Sequence, residues 1–170
     1  LRACGFESRF SYHILERFLM KILFLHGLES VPGGKKPKFL ESLGHNVLNP
    51  ALLREDFEAS VQIAQKLYDK EKPDVVVGSS RGGAVAMALE GVDVKTVLIA
   101  PAYKKYEVEP THATTPGKKV ILHSICDDII SVRDSADLVT NHGYQLHVCG
   151  ADHRMSDDDA LHMLAKVLNG

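Results

Sequence analysis

The sequence lacks the features that mark secreted, membrane-spanning or nucleic-acid-binding proteins. Its three cysteines, Cys4, Cys126 and Cys149, are odd in number and form no Cys-x-x-Cys pair, which argues against a disulfide framework and for a reducing compartment. The formal net charge of −2 gives no electrostatic reason to bind nucleic acid or an anionic membrane. No apolar stretch approaches the roughly 18 residues that a membrane span needs. We therefore expect a soluble, cytoplasmic protein with no nucleic-acid or membrane partner.

The first 19 residues differ from the rest of the chain. They lack the apolar core and the small-residue cleavage site of a secretory signal, and their pattern predicts no strand. The first convincing strand pattern begins at Met20, so we expect residues 1–19 to be a poorly ordered leader that is either upstream or non-native sequence. The alternative is an N-terminal helix around 12–18 that packs on the domain.

From Met20 onward, short apolar runs alternate with longer amphipathic segments, as in α/β proteins. Several of the apolar runs have no polar alternation, which is typical of a parallel sheet covered by helices on both faces. The chain contains no repeat or linker, so residues 20–170 are expected to form a single three-layer α/β/α domain. The predicted strands are 21–25, 46–48, 74–78, 95–99, 119–123 and 144–148.

Helices and loops are predicted between these strands. Apolar residues at helical spacing predict a helix over 56–72, and a capping box predicts another over 132–142. Ser156 and the three aspartates after it predict the start of a terminal helix, since acids favour the positive end of the helix dipole. We interpret these acids as a cap and not as a metal site. The stretch 100–118 holds three prolines without a helical period, which predicts a folded-back loop too short for a lid domain.

Residues 78–82, Gly-Ser-Ser-Arg-Gly, fit the pattern Gly-x-Ser-x-Gly between a predicted strand and a helix-compatible run. A sharp strand-to-helix turn exposes its central residue in a strained conformation, and the flanking glycines relieve crowding. The register selects Ser80 over Ser79 as the candidate nucleophile. The glycine patterns of dinucleotide and P-loop sites are absent, which disfavours a phosphate site. Taken alone, this short motif is also compatible with an ordinary structural turn.

A serine nucleophile needs a base and an acid that orients the base, and the sequence offers both at strand ends. Asp127 and Asp128 follow the fifth predicted strand, and His153 follows the sixth. The carboxyl ends of parallel strands share one edge of the sheet, where open α/β sheets build their sites. These groups are therefore expected to meet near Ser80.

The loop "FLHGLES" after the first strand is the fourth element of the expected site. Acyl transfer needs two backbone N–H groups aimed at the oxygen that becomes negative. We assign these donors to Leu28 and Arg81. His26, in the same loop, is interpreted as a structural hydrogen-bonding residue in preference to a base.

From Met20 to the end, the sequence resembles the α/β-hydrolase superfamily, in particular its small, lidless, single-domain esterase-like members. The resemblance rests on "LFLHGLES", "VVGSSRGGAVA", "LHSICDDIISV" and "GADHRM", and on the chain order of serine, acid and histidine. It implies a minimal α/β-hydrolase sheet of about six parallel strands. In that family, a segment like "ILHSICDDIIS" commonly reads His-Gly-x-x-Asp-x-x-Val-Pro, which implies Asp127 as the acid and leaves Asp128 as the fallback.

The resulting hypothesis is a serine hydrolase that cleaves small acyl esters or thioesters through Ser80, Asp127 and His153, without a metal or an organic cofactor. The sequence does not separate ester from amide or carbon–carbon bond cleavage, and it leaves the oligomeric state open. The alternative is a binding or regulatory protein on a hydrolase scaffold with little turnover, because a fold does not fix a function.

Three further residues are candidates for substrate contact: His26, Glu29 and Tyr103. Tyr103 lies in a loop that is expected to supply an apolar wall of the groove. Arg81 has two readings. Its side chain either pairs with a carboxylate such as Glu29, or it faces the site and favours an acidic acyl substrate.

Overall fold

Six parallel strands make up the sheet in the computed structural model, which describes residues 19–170. Their order across the sheet is β2-β1-β3-β4-β5-β6, and each neighbouring pair is parallel. This confirms the predicted fold class. The leader prediction falls on residues that lie almost wholly outside the described range, and it stays a prediction. The strands are β1 (Lys21–Leu25), β2 (Asn46–Leu48), β3 (Val75–Ser79), β4 (Lys95–Ile99), β5 (Lys119–His123) and β6 (Gln145–Val148).

Helices follow the strands in alternation. The cap predicted for the helix at 132–142 is confirmed at Ser131, whose side chain accepts a hydrogen bond from Arg133 N. One helix, at 35–42, was not predicted. Its N-cap is Gly34, which offers no side-chain acceptor, so the sequence carries no cap signal there. The helices are α1 (Lys35–Ser42), α2 (Phe57–Glu71), α3 (Arg81–Ala88), α4 (Val132–His142) and α5 (Asp158–Asn169).

The core consists of two apolar layers, one on each face of the sheet. In β1, Ile22 and Phe24 pack in the layer shared with α1 and α5, whereas Leu23 and Leu25 pack in the layer shared with α2, α3 and α4. All four of these strand residues are at most 2% exposed. Burial on both faces explains why the strands read as continuous apolar runs without alternation.

The stretch 100–118 folds back onto the domain through a 3₁₀ helix, Tyr103–Tyr106, that contacts α3. Within residues 19–170, no helix is long and apolar enough to cross a membrane. The loops after β1, β3, β5 and β6 leave the same edge of the sheet because all four strands are parallel. The candidate site residues in these four loops therefore lie at one edge of the sheet.

The start of α5 differs from the prediction by one residue. The N-cap is Asp157, whose Oδ1 accepts a hydrogen bond from Ala160 N at 3.2 Å. Its other oxygen accepts from Ala151 N at 3.0 Å. Ser156 instead donates its hydroxyl to Arg154 O. Asp157 thus joins the start of α5 to the loop after β6.

Replacement of the cap should destabilise the protein more than replacement of its neighbour. Asp157→Ala leaves two backbone N–H groups without their acceptor, so we expect a loss of about 1 kcal/mol, within the usual range of roughly 0.5–2 kcal/mol for a cap. Ser156→Ala should change the free energy of unfolding by less than about 0.5 kcal/mol. Urea unfolding of both variants measures the difference, and equal losses would contradict the assignment of Asp157 as the cap.

Candidate active site

Ser80 lies at the turn from β3 into α3 with φ 53° and ψ −116°. Positive φ in a residue with a side chain is strained by about 1–3 kcal/mol. The backbone around it fixes this conformation. Ser80 N donates to Ile99 O at 2.8 Å. Ser80 O accepts from Gly83 N at 2.9 Å, from Ala102 N at 3.1 Å and from Ala84 N at 3.2 Å. The turn holds the serine partly exposed at the edge of the sheet.

The two glycines of the motif are required by close packing. A Cβ atom on Gly82 would lie 2.6 Å from His26 O, and one on Gly78 would lie 2.8 Å from the Gly83 Cα. Both contacts involve backbone atoms that cannot move aside cheaply. Neither glycine has a positive φ. The glycines therefore allow α3 to press against the sheet, while the strained φ falls on Ser80 itself.

The structure brings the predicted serine, histidine and acid together in one chain of hydrogen bonds. Ser80 Oγ lies 3.0 Å from His153 Nε2, and His153 Nδ1 lies 2.7 Å from Asp127 Oδ2. A carboxylate accepts only, so the hydrogen of the neutral imidazole is assigned to Nδ1, and Nε2 is left to accept from the serine hydroxyl. Within residues 19–170, Asp127 has two histidine neighbours, His123 and His153. Of these, only His153 lies within hydrogen-bonding distance of Ser80. This arrangement can transfer a proton from Ser80 to His153.

Asp127 is held without exposure to solvent by the loop after β5. Its Oδ1 accepts from Ile129 N at 2.9 Å and from Ile130 N at 2.8 Å. Burial raises the pKa of Asp127, but the hydrogen bonds from Ile130 N, His153 and Ile129 N outweigh burial, and the net pKa lies below its ordinary value. Asp127 therefore stays ionised. Asp128, the fallback acid, is exposed.

Two polar residues beside Asp127 were missed by sequence reasoning. His123, fully buried at the end of β5, places Nε2 3.0 Å from Asp127 Oδ2. Ser124 donates to Gly150 O at 2.8 Å, which ties the loop of Asp127 to the loop of His153. The available signal for His123 was its place in the family pattern His-Gly-x-x-Asp, where it matches the histidine four residues before the acid.

The loop after β1 lies against the nucleophile. A Cβ on Gly27 would sit only 3.4 Å from the Ser80 Cβ. His26 is buried, with Nδ1 2.8 Å from Gly27 O and Nε2 accepting from Leu52 N at 3.1 Å. Both ring nitrogens are used within the protein, which fits the structural interpretation of His26, and the residue also lines the cavity described below.

The side chain of Arg81 does not face the groove, so the second of its two readings, an inward positive charge, is wrong. It is 2% exposed, and its Nη2 donates to Leu53 O at 2.7 Å, to Asp56 O at 3.1 Å and to Ser60 Oγ at 3.2 Å. The guanidinium carbon also lies 5.6 Å from the ring centroids of two stacked aromatic residues, Phe57 and Tyr106. A substrate therefore has no access to this charge.

Glu29 does not pair with Arg81 either. Its two carboxylate oxygens accept from Arg54 at 3.2 and 2.7 Å, in an exposed ion pair. Tyr103 is likewise misplaced by the prediction. It is 5% exposed, packs in the core and donates its hydroxyl to Asp134 O at 3.1 Å. Its aromatic ring is needed for the core and supplies no wall of the groove.

A cavity of about 260 Å³ opens beside the loop after β1. The exposed pair of Glu29 and Arg54 lies at its border, and the surface inside is mainly apolar. Within residues 19–170, no group of three or more histidine, cysteine or acidic residues is arranged to hold a metal ion. The apolar residues of the cavity wall are Leu28, Val31, Pro32, Ala51 and Leu52.

Comparison with known proteins finds likeness in structure and none in sequence families. No protein-family profile and no curated protein matches the chain. A crystal structure from Xanthomonas campestris pv. campestris, assigned to the alpha/beta hydrolase superfamily, is similar with a TM-score of 0.72 at 21% identity, over 88% of this chain and 98% of that one.

Two further structures are similar at lower identity. MGS-MChE2, an alpha/beta hydrolase enzyme from the sediment metagenome of the Mar Chica lagoon in Morocco, gives a TM-score of 0.64 at 16% identity, over 89% of each chain. A lidless a/b serine hydrolase from Xanthomonas campestris gives 0.62 at 14% identity, over 88% of this chain and 79% of that one. The strand order, the serine at the strand-to-helix turn and these likenesses together show that the chain has the α/β-hydrolase fold.

Proposed function

We propose that this protein is a serine hydrolase that cleaves small acyl esters or thioesters through a covalent acyl-enzyme. The observation that carries the proposal is the hydrogen-bonded chain from Ser80 Oγ through His153 to the buried Asp127. A serine hydroxyl is a weak nucleophile, and such a chain is the usual means of activating it. The esterases and serine hydrolases among proteins of similar fold support the same class of reaction.

In the first half-reaction, Ser80 Oγ attacks the carbonyl carbon of the substrate while His153 Nε2 takes the hydroxyl proton. Asp127 stabilises the imidazolium that forms and keeps Nδ1–H directed toward itself. The tetrahedral intermediate then collapses as His153 returns the proton to the departing alcohol or thiol. The acyl group remains on Ser80, and a water molecule activated by the same histidine hydrolyses it to the free acid.

The negative oxygen of the intermediate needs donors, and two backbone N–H groups are free to serve. Within residues 19–170, neither Leu28 N nor Arg81 N donates to a backbone acceptor. Arg81 is the first residue of α3, where helix N–H groups lack internal partners and the helix dipole favours negative charge. Gly27 lies so close to Ser80 that a Cβ on it would be 3.4 Å from the Ser80 Cβ, and this proximity supports the next residue, Leu28, as the second donor.

We infer the substrate class from the cavity beside this loop, whose lining includes Leu28 and Arg81, the two proposed oxyanion donors. Its volume of about 260 Å³ lies below the roughly 300–1,000 Å³ of pockets that enclose drug-sized ligands. Its wall is mainly apolar, and the nearby charges of Arg81, Glu29 and Arg54 are engaged by protein groups. These features favour a short, uncharged acyl group.

The first test compares two adjacent serines. Wild type should hydrolyse p-nitrophenyl acetate and butyrate faster than p-nitrophenyl decanoate and should form a fluorophosphonate adduct on Ser80. Ser80→Ala should lose about 10⁶-fold in kcat and all labelling, because no nucleophile remains. Ser79→Ala is the matched control and should stay within about threefold of wild type, since the Ser79 side chain is buried in β3 and takes no part in the hydrogen bonds that join Ser80, His153 and Asp127.

Either of two results would contradict the proposal. Full ester hydrolysis by Ser80→Ala would assign the activity elsewhere. A folded wild-type protein that takes no fluorophosphonate and hydrolyses no ester of the panel would favour the alternative of a binding protein on a hydrolase scaffold.

The acid is tested by a second pair of neighbouring residues. Asp127→Asn should lower kcat by about 10⁴-fold, because the amide group favours the wrong tautomer of His153. Asp128→Asn should stay within about twofold, since Asp128 is exposed. Steady-state kinetics with p-nitrophenyl acetate distinguishes them, and a larger loss in the second variant would identify Asp128 as the acid.

The lowered pKa of Asp127 predicts how stability depends on pH. In the unfolded chain an aspartate takes up a proton near its ordinary pKa of about 3.9, whereas in the folded protein Asp127 stays ionised to lower pH. The contribution is thus fully present well above pH 4 and is lost as pH falls through the folded-state pKa. Urea unfolding at pH 6, 5, 4 and 3 should show the stability of wild type falling toward that of Asp127→Asn. A difference that stays constant with pH would contradict the shift.

A further inference from the structure

We infer that His123 is a positioning residue of the site: its Nε2–H fixes Asp127 Oδ2 in the place where His153 meets it. The catalytic consequence of this role depends on the serine hydrolase function proposed above. The geometric role does not depend on it.

Both nitrogens of the His123 ring have partners inside the protein. Nε2 lies 3.0 Å from Asp127 Oδ2 and 3.1 Å from Ile130 O, and Nδ1 lies 2.7 Å from Ser135 Oγ. The residue is fully buried. It is therefore part of a closed network and does not offer a group to solvent or to a substrate.

The partners decide which nitrogen carries hydrogen. The carboxylate of Asp127 and the carbonyl of Ile130 can only accept, so Nε2 must donate. The hydroxyl of Ser135 can donate to Nδ1, so a neutral imidazole protonated on Nε2 satisfies every group in the network. In this tautomer, His123 donates a hydrogen bond from Nε2 to Asp127 and has no free acceptor directed at the carboxylate.

The donation completes the set of bonds on Asp127. Oδ1 accepts from two backbone N–H groups, and Oδ2 accepts from His123 and His153. A carboxylate offers about four acceptor positions. Of these four bonds, only the one from His123 holds Oδ2 independently of His153, because the two backbone N–H groups bind Oδ1.

His123 also connects the acid to a rigid element. Asp127 belongs to an irregular loop, whereas His123 is the last residue of β5, paired with Val148 of β6. Its backbone oxygen accepts from Cys149 N at 3.1 Å, at the start of the loop that carries His153. Groups held by strands keep catalytic geometry more closely than groups held by loops alone. Through His123, the sheet thus fixes the position of Asp127 Oδ2.

The test uses one variant that removes the donor and one that restores it. His123→Leu fills similar volume without a donor, whereas His123→Gln can place an amide N–H near the former Nε2. Ser135→Ala is the matched control, because it removes the partner of His123 Nδ1 and leaves the bond from Nε2 to Asp127. Circular dichroism and thermal unfolding establish that each variant folds.

For p-nitrophenyl acetate, His123→Leu should lower kcat by about 10–100-fold with KM within about twofold, because a misplaced acid affects the chemical step and leaves binding alone. The rate of fluorophosphonate labelling should fall by the same factor. His123→Gln should recover to within about fivefold of wild type, and Ser135→Ala to within about threefold. An unchanged rate in His123→Leu, or equal losses in the Leu and Gln variants, would overturn the inference, since either result means that the residue only fills the core.

Nuclear magnetic resonance separates this inference from the proposed function. The low-field proton on His153 Nδ1 should shift or broaden in His123→Leu and persist in His123→Gln and Ser135→Ala, whether or not Ser80 reacts with fluorophosphonate. If wild-type Ser80 is unreactive, the proposed function fails while this signal still decides the role of His123. In wild type, ¹⁵N spectra that show hydrogen on Nδ1 of His123 and none on Nε2 would overturn the inference without any variant.

Discussion

A charge buried at the edge of the sheet determines how the surrounding loops are built. The Asp127 side chain has no exposed surface, and an ionised carboxylate without solvent is strongly unfavourable unless hydrogen bonds replace the lost water. Two backbone N–H groups and two imidazoles supply that replacement. The loop after β5 must therefore take one conformation, and the loop after β6 must bring His153 to it. The same requirement that stabilises the charge produces the geometry of the site.

The serine side of the site has a different physical basis. Ser80 adopts a strained backbone conformation, and four backbone hydrogen bonds to its own N–H and C=O hold it there. Tight contact of α3 with the sheet is possible only because glycine occupies positions 78 and 82. The acid is thus positioned by compensation of charge, and the nucleophile by packing of backbone against backbone. Both depend on the parallel order of the strands, which places their carboxyl ends together.

Much of this arrangement could be read from the sequence because it is encoded locally. Apolar runs gave the strands to within one residue, and the glycine spacing at 78–82 identified the turn. The order of Ser80, Asp127 and His153 along the chain, combined with the rule for strand ends, was enough to expect the three side chains near one another. The structure brings them within hydrogen-bonding distance.

The rest depended on partners distant in sequence. Arg81 was expected beside Glu29 or in the groove, but it bonds to carbonyls 28 and 25 residues away, at Leu53 and Asp56. Tyr103 was read as a loop residue, although the 3₁₀ helix that carries it packs into the core. Helix α1 begins at a glycine without a side-chain cap, so no local signal marked it. Side-chain direction and weakly capped helices are decided by tertiary contacts, which one sequence does not display.

The buried guanidinium of Arg81 links the turn that carries Ser80 to the segment between β2 and α2, which supplies part of the cavity wall. Arg81 is 2% exposed and its charge has almost no access to water, so the carbonyls of Leu53 and Asp56 must remain in place to solvate it. A change in the length of the segment between β2 and α2 would separate these oxygens from the cation and leave an uncompensated charge in the core. Side chains of this segment that line the cavity, such as those of Ala51 and Leu52, can vary. Its backbone conformation cannot vary as long as Arg81 follows the serine. Selectivity for different acyl groups can therefore evolve in this fold by substitution far more readily than by insertion or deletion.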